Sequence, residues 1–120
     1  MAITVFGLGA VGLSAIMAAK IAKAAVIIGV DIVDDRLDLA LSLGATHVIN
    51  GRTEDVLAKI RSIAPKGIDR SLDTSANDIA IEQAIDCLGT FGIFGTLANK
   101  GPQHKLVMPI LGSRKFSFPT

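Results

Sequence analysis

Cysteine, tryptophan and tyrosine are scarce or absent in this sequence. The 120 residues include one cysteine, Cys87, and two histidines, His47 and His104, but no Trp or Tyr. A lone cysteine excludes an internal disulfide bond, and neither histidine has Cys or His partners at the spacing of a zinc site. We therefore expect no metal ligands in this chain. Cys87 is interpreted as a small buried residue of the fourth helix, and the histidines as strand-edge and loop residues.

Clusters of one charge and uninterrupted apolar runs are also missing. The net charge is +1 with no basic cluster, which argues against nucleic acid or an acidic membrane surface as a partner. The longest strongly apolar run, residues 11–32, is broken by Lys20, Lys23 and Asp31, so it does not predict a membrane span. Because no signal peptide is recognisable and the cysteine is single, we expect a cytoplasmic protein.

The residues that are abundant point to a buried parallel sheet. Half of the chain is hydrophobic, mostly Ala, Ile, Leu and Val, which suits a sheet covered on both faces. Strand-like and helix-like segments alternate, which predicts an α/β Rossmann fold with a doubly wound, parallel, six-stranded sheet in the order 3-2-1-4-5-6. The predicted strands are residues 3–6, 25–30, 47–50, 68–73, 91–97 and 115–118. We interpret residues 1–120 as one domain excised from a larger protein, because its first strand should be central.

Polar residues before three of the helical segments predict where those helices begin. Asp34 or Asp35 is expected to cap the second helix, and Thr53 the third. The run Ser75-Ala76-Asn77-Asp78 has the form of a capping box before the fourth helix.

A glycine motif follows the first predicted strand. It reads Gly7-Leu8-Gly9-Ala10-Val11-Gly12 and opens a run of small and apolar residues. Gly7 permits the tight turn, Gly9 lets a pyrophosphate approach the backbone, and Gly12 lets the helix lie close to the strand. The free N–H groups and the dipole at the start of the helix would attract the same diphosphate. The motif therefore predicts a dinucleotide site.

An acidic residue at the end of the second strand strengthens that prediction. Asp31 lies nineteen positions after Gly12, where a carboxylate accepts hydrogen bonds from the adenosine ribose. The alternative is that Asp31 only caps the next helix, although Asp34 and Asp35 are better placed for that role.

Longer stretches of the sequence resemble one family. Residues 5–14, 27–32, 43–46, 69, 73–75 and 92–95 resemble the cofactor domain of zinc-dependent medium-chain alcohol dehydrogenases, and within them the aryl or benzyl alcohol dehydrogenases. The resemblance implies that residues 7–12 hold the pyrophosphate and Asp31 the ribose, with Ile32 beside the adenine and Arg36 beside that ribose. It implies further that Thr74, Ser75 and Asn77 line the cofactor groove, and that Phe94, Gly95 and Thr96 meet the nicotinamide end, partly through backbone groups.

The resemblance also implies an activity and partners. The parent enzyme would transfer a hydride between an alcohol and NAD, with catalytic zinc held by a separate domain that is missing here. The charge of Asp31 favours NAD over NADP, and Arg36 softens that preference. We expect this chain to bind NAD(H) without turnover, having no catalytic or metal residues, and to form a homodimer through residues 105–118. Ala76 departs from the family because Gly is common there, and so do Phe118 and Pro119.

Three other readings stay open. The first is the cofactor domain of a zinc-free, quinone-reductase-like oxidoreductase that prefers NADPH, which Asp31 argues against. The second is a non-catalytic NAD-sensing regulatory domain, which predicts a self-sufficient dimer. The third is a methyltransferase that binds S-adenosylmethionine, a class that usually lacks the third glycine of the motif.

Overall fold

In the part of the chain that the structure describes, six parallel strands and four helices follow one another. The computed structural model describes residues 1–97 and the backbone of residues 115–117. The elements are β1 (Ala2–Phe6), α1 (Ala10–Ile21), β2 (Val26–Asp31), α2 (Asp34–Leu43), β3 (His47–Asn50), α3 (Val56–Ile63), β4 (Ile68–Asp73), α4 (Asp78–Asp86), β5 (Leu88–Thr96) and β6 (Lys115–Ser117). His104, Phe118, Pro119 and most of the proposed dimer segment 105–118 lie outside the described residues.

The sheet has the order β3-β2-β1-β4-β5-β6. This confirms the predicted doubly wound Rossmann sheet, including the central position of β1. Phe6 at the end of β1 is paired in register with Val30 of β2 on one side and Asp73 of β4 on the other. The carboxyl ends of these three strands therefore meet at the point where the strand order reverses, which is where such sheets bind ligands.

Two apolar cores cover the two faces of the sheet. On one face, Ile16 of α1 and Leu37 of α2 pack with Val5 and Ile27. On the other face, Ile60 of α3 and Ile85 of α4 pack around Phe6 and the inward residues of the neighbouring strands. Burial on both faces explains why β1 and β2 read as nearly continuous apolar runs.

Three polar side chains lie inside the second core. Thr4 of β1 and Ser71 of β4 stand opposite each other in register, and the Thr4 hydroxyl donates to the Ser71 oxygen at 2.8 Å. The Cys87 sulfur lies 3.7 Å from Thr4 Oγ1 and donates to the Ala84 carbonyl at 3.2 Å. Cys87 is buried, as expected, but it is the C-terminal cap of α4 and not a residue within the helix.

The predicted helix caps were wrong in all three places. Neither Asp34 nor Asp35 caps α2, because the N-cap is Val33 and both acids lie in the first turn. Helix α3 begins at Val56, and its cap is Asp55, whose carboxylate accepts from the Ala58 N–H at 3.1 Å. The cap predicted at Thr53 therefore lies two residues before the observed cap at Asp55. Helix α4 begins two residues later than the capping box indicated, because its N-cap is Asn77 and not Ser75, and the Asn77 side chain accepts from the Ala80 N–H.

Strand β5 contains an irregularity that the sequence did not indicate. Pairing with β4 shifts between Ile68–Leu88 and Arg70–Ile93, so β5 carries extra residues at its start. Phe91 lies in this bulge with φ 61° and a side chain that is 68% exposed. A Cβ at the neighbouring Gly92 would lie 2.7 Å from the Ile68 carbonyl oxygen, so the backbones approach closely here. The bulge explains why β5 begins at Leu88, three residues before the predicted start.

Replacing Phe91 with Gly is expected to stabilise the chain by about 1 kcal/mol, because glycine adopts a left-handed conformation without the strain that a side chain causes there. Little apolar burial is lost because the ring is 68% exposed. The measurement is urea unfolding followed by circular dichroism. Ile79→Gly is the matched control, because Ile79 is 66% exposed but lies in helix α4. Equal destabilisation by both substitutions would show that Phe91 is not strained.

Candidate functional site

The glycine turn between β1 and α1 has two positions where the protein itself requires glycine. Gly7 has φ 89°, and a Cβ there would lie 2.6 Å from Thr74 Oγ1. A Cβ on Gly12 would overlap the carbonyl group of Gly7. These contacts confirm the tight turn and the close helix–strand approach that the motif predicted.

Gly9 differs from the other two glycines of the turn. Its φ is −75°, which any residue adopts, and a Cβ there would meet no atom of the described residues within 4 Å. Neither backbone strain nor internal packing therefore explains a glycine at this position. The empty space is suited to a group from outside the chain that approaches the backbone closely.

The start of helix α1 faces that space without an acidic side chain. Gly9 is the N-cap, no acidic residue lies in the first turn, and no side chain among residues 1–97 caps the helix. The first backbone bond of the helix runs from the Leu13 N–H to the Gly9 carbonyl at 2.9 Å. The earlier N–H groups are thus available to an anion, and the helix dipole favours one there.

Asp31 forms one side of the site and holds the glycine turn from β2. Its Oδ2 accepts from the Leu8 N–H at 2.7 Å, and its Oδ1 accepts from the N–H groups of Ile32 at 2.6 Å and Val33 at 3.1 Å. The Arg36 guanidinium lies 3.8 Å from Oδ2. Asp31 therefore supports the turn before α2, although it does not cap that helix, whose N-cap is Val33. Its Oδ2 also has room for a further donor.

The turn after β4 forms the opposite side. Thr74 Oγ1 lies 2.8 Å from the Gly7 carbonyl oxygen and 3.1 Å from that of Phe6, and donates to these carbonyls. Thr74 is therefore attached to the glycine turn itself. Ser75 and Asn77 follow in the same turn, and the Asn77 side chain caps α4.

These elements enclose one cavity of about 710 Å³. The cavity brings together most of the predicted site residues from three different strand ends: Gly7, Leu8, Gly9, Ala10, Val11, Asp31, Ile32, Arg36, Thr74, Ser75 and Asn77. Gly12 is buried behind the turn and does not line it.

The strand-end residues predicted for the nicotinamide end do not line this cavity. The Phe94 side chain is fully buried in the core of the α3 and α4 face. Gly95 and Thr96 pair with Leu72 and Asp73 of β4. Any part for Phe94 in binding therefore depends on its backbone groups at the end of β5.

Six lining residues were not predicted from the sequence. They are Phe6, Val30, Gly51, Ile79, Ala80 and Gln83. Ile79, Ala80 and Gln83 lie on one face of α4, at spacings that bring helical residues together. Ile79, an apolar residue two positions after the Asn77 cap, was the available signal in the sequence. In the structure this residue is 66% exposed.

The described residues offer little for metal binding or proton transfer. Residues 1–97 contain no group of three His, Cys, Asp or Glu side chains that could hold a metal ion. The hydrogen bond from Lys59 and the Asn50 N–H hold the pKa of Glu54 below its ordinary value. Glu54 is not a lining residue of the cavity. No helix in the described ranges is long and apolar enough to cross a membrane.

Comparisons with known proteins bear on this site. A family model described as "Zinc-binding dehydrogenase" matches residues 10–117. The chain is 40% identical over 84 residues to sorbitol dehydrogenase from Bacillus subtilis, covering 69% of this chain and 24% of that protein. Over 89 residues it is 40% identical to aliphatic (R)-hydroxynitrile lyase from Linum usitatissimum, covering 69% of this chain and 21% of that protein.

A solved structure gives the same result over nearly the whole chain. Benzyl alcohol dehydrogenase from Acinetobacter calcoaceticus is similar at 36% identity with a TM-score of 0.94, covering 98% of this chain and 34% of that one. The chain thus spans between a fifth and about a third of the length of these relatives.

The contrast between the glycines predicts different effects on stability. Gly12→Ala is expected to lower the free energy of unfolding by about 2 kcal/mol or more, because its Cβ overlaps the Gly7 carbonyl. Gly9→Ala is expected to change it by less than about 0.5 kcal/mol, since the space is open and the small capping loss is offset in the unfolded state. Urea unfolding of both variants measures this, and a large loss for Gly9→Ala would refute the assignment of its space to an external group.

Proposed function

This chain belongs to the zinc-binding dehydrogenase family, and we propose that it is the coenzyme-binding domain of an NAD-dependent alcohol dehydrogenase. Family membership agrees with the resemblance drawn from the glycine motif and the following segments. The relatives are three to five times longer than the match. The catalytic domain would therefore lie in sequence beyond these 120 residues.

The open space over Gly9 is the observation that carries this proposal. A diphosphate placed there would meet the backbone without steric hindrance and accept hydrogen bonds from the first N–H groups of α1. The helix adds the positive end of its dipole, and it has no acidic residue in its first turn to repel the ligand. The donor set and the shape both fit a dinucleotide.

The two sides of the cavity would divide the ligand between them. On the β2 side, Asp31 Oδ2 would accept from an adenosine ribose hydroxyl, with Ile32 near the adenine and Arg36 near that ribose. On the β4 side, the turn containing Thr74, Ser75 and Asn77 would lie along the nicotinamide half. The cavity volume of about 710 Å³ leaves room for a ligand of that size.

The charge of Asp31 supports NAD rather than NADP. A 2′-phosphate would place two like charges within a few ångströms of each other, and the Asp31 side chain is only 7% exposed, so solvent screens the repulsion weakly. Arg36 is the nearest cation, but it is 53% exposed and already directed at Asp31. This arrangement also disfavours an NADPH-preferring, quinone-reductase-like parent.

The chemistry of the parent would depend on groups outside this chain. Zinc, when bound by the catalytic domain, polarises the alcohol oxygen for hydride transfer. The chain described here would bind and orient NAD(H) and supply no metal ligand. Since one relative is a hydroxynitrile lyase and another a sorbitol dehydrogenase, the substrate would be selected by the remaining sequence.

Two further parts of the proposal concern assembly and location. The apolar segment Leu106–Leu111 would pair with its copy in a homodimer, and the support for this is its sequence alone. A cytoplasmic location is supported by the cysteine content of the sequence, since one cysteine excludes an internal disulfide bond.

Titration of the 120-residue chain with NADH tests the main proposal. We expect saturable binding, and we expect Gly9→Ala to weaken it by about tenfold or more, because the methyl group occupies the diphosphate space. Emission from the nicotinamide is observed without background, since the chain has no Trp or Tyr. Absence of saturation in the wild-type chain would overturn the proposal, and alcohol oxidation by this chain alone would contradict the assignment of catalysis to another domain.

Asp31→Asn is expected to raise the affinity for NADPH relative to NADH by about tenfold or more, because it removes the charge that repels the 2′-phosphate while keeping one acceptor oxygen. The ratio is measured by parallel titrations. Asp34→Asn is the control, since it removes the same charge from an exposed residue three positions away. An unchanged ratio in Asp31→Asn, or an equal change in both variants, would contradict the role of Asp31.

A further inference from the structure

Asp73, the last residue of β4, is a completely buried carboxylate at the edge of the proposed coenzyme site. Its Oδ1 accepts from the Ser75 hydroxyl at 2.6 Å and from the Ser75 N–H at 3.2 Å, and its Oδ2 accepts from the Ala76 N–H at 3.1 Å. Within the described residues, neither salt bridge of the chain includes it. All of these donors belong to the turn that follows the strand, so the carboxylate is directed into that turn.

These bonds hold a backbone conformation that is unfavourable by itself. Ala76 has φ 60°, a left-handed conformation that costs a residue with a side chain about 1 kcal/mol or more. The bond from its N–H to Asp73 Oδ2 compensates for that strain. The Asn77 N–H in turn donates to Ser75 Oγ at 3.1 Å, which places the Asn77 side chain to cap α4. One carboxylate thus organises every residue from Ser75 to the start of the helix.

The same turn forms one side of the cavity and is attached to the glycine turn. Thr74, Ser75 and Asn77 line the cavity, whereas Asp73 does not. Because β4 and β2 lie on opposite sides of β1, this turn faces the half of the cavity away from Asp31 and Arg36.

We propose that Asp73 is a positioning residue for the nicotinamide half of the coenzyme, acting through residues 75–77 of the turn and not by touching the ligand. This inference rests on the proposed NAD(H) site. The adenosine half and the diphosphate are held by Asp31 and the glycine turn. Thr74 is the residue of the β4 turn that bonds to the glycine turn, whereas the Asp73 carboxylate bonds to Ser75 and Ala76. Loss of that carboxylate would therefore affect one half of the dinucleotide selectively.

Asp73→Asn tests this in the 120-residue chain, because an amide of the same size has one acceptor oxygen and places an NH2 group against a backbone donor. We expect its affinity for NADH to fall about tenfold or more, and its affinity for ADP to stay within about twofold of the wild type. ADP shares the adenosine and diphosphate but lacks the nicotinamide half. The nicotinamide emission of bound NADH should also approach that of free NADH. A purely structural loss would weaken both ligands together.

Asp69→Asn is the matched control, because it makes the same change in the same strand, near the amino-terminal end of β4 and away from the proposed site. It should leave both affinities unchanged. Ser75→Ala removes the 2.6 Å bond and should give a smaller selective loss, so it decides the question if Asp73→Asn does not fold. Equal weakening of NADH and ADP, or no weakening of either, overturns the role of Asp73. Failure of the wild-type chain to bind either ligand overturns the proposed function instead.

Discussion

The site depends on the glycine turn being held from both neighbouring strands. From β2, Asp31 accepts the Leu8 N–H at 2.7 Å, and from β4, Thr74 Oγ1 lies 2.8 Å from the Gly7 carbonyl oxygen. A loop rich in glycine has much conformational freedom to lose, and these two bonds restrict it at successive residues. The N–H groups of α1 are thereby presented in a fixed direction before any ligand arrives, which lowers the ordering cost of binding.

The three glycines of the turn divide between two kinds of requirement. Gly7 and Gly12 are required by contacts within the protein, as the overlaps with Thr74 and with the Gly7 carbonyl indicate. Gly9 has no such internal requirement, and we attribute it to the ligand. Structural and functional constraints therefore alternate within six residues, which explains why the motif alone is a weak signal for binding and becomes informative only with its strand and helix.

Much of the fold was predictable because β1 and β2 carry nearly continuous apolar runs and because strand-like and helix-like segments alternate along the sequence. The sheet order and the grouping of Asp31 with the glycine turn followed from that pattern. Cap positions did not, because several neighbouring acids and hydroxyls around Asp34 and Thr53 suit the role and only the final chain direction selects one. The bulge at Phe91 was hidden because it depends on the backbone contact between Gly92 and Ile68. The same limit applies to Phe94, whose burial depends on which face of β5 points inward.

The buried hydroxyl pair of Thr4 and Ser71 has a consequence for the alignment of the two central strands. In a sheet with aliphatic residues on both faces, a shift of one strand along its neighbour exchanges one aliphatic contact for another, so it costs little free energy. Here any shift in register would separate the two hydroxyls and leave each of them buried without this hydrogen bond, at a cost of about 1–3 kcal/mol per group. The pair therefore fixes the register of β1 against β4. The register in turn sets the distance between the turn after β1 and the turn after β4. That distance determines how long a ligand must be to contact both turns.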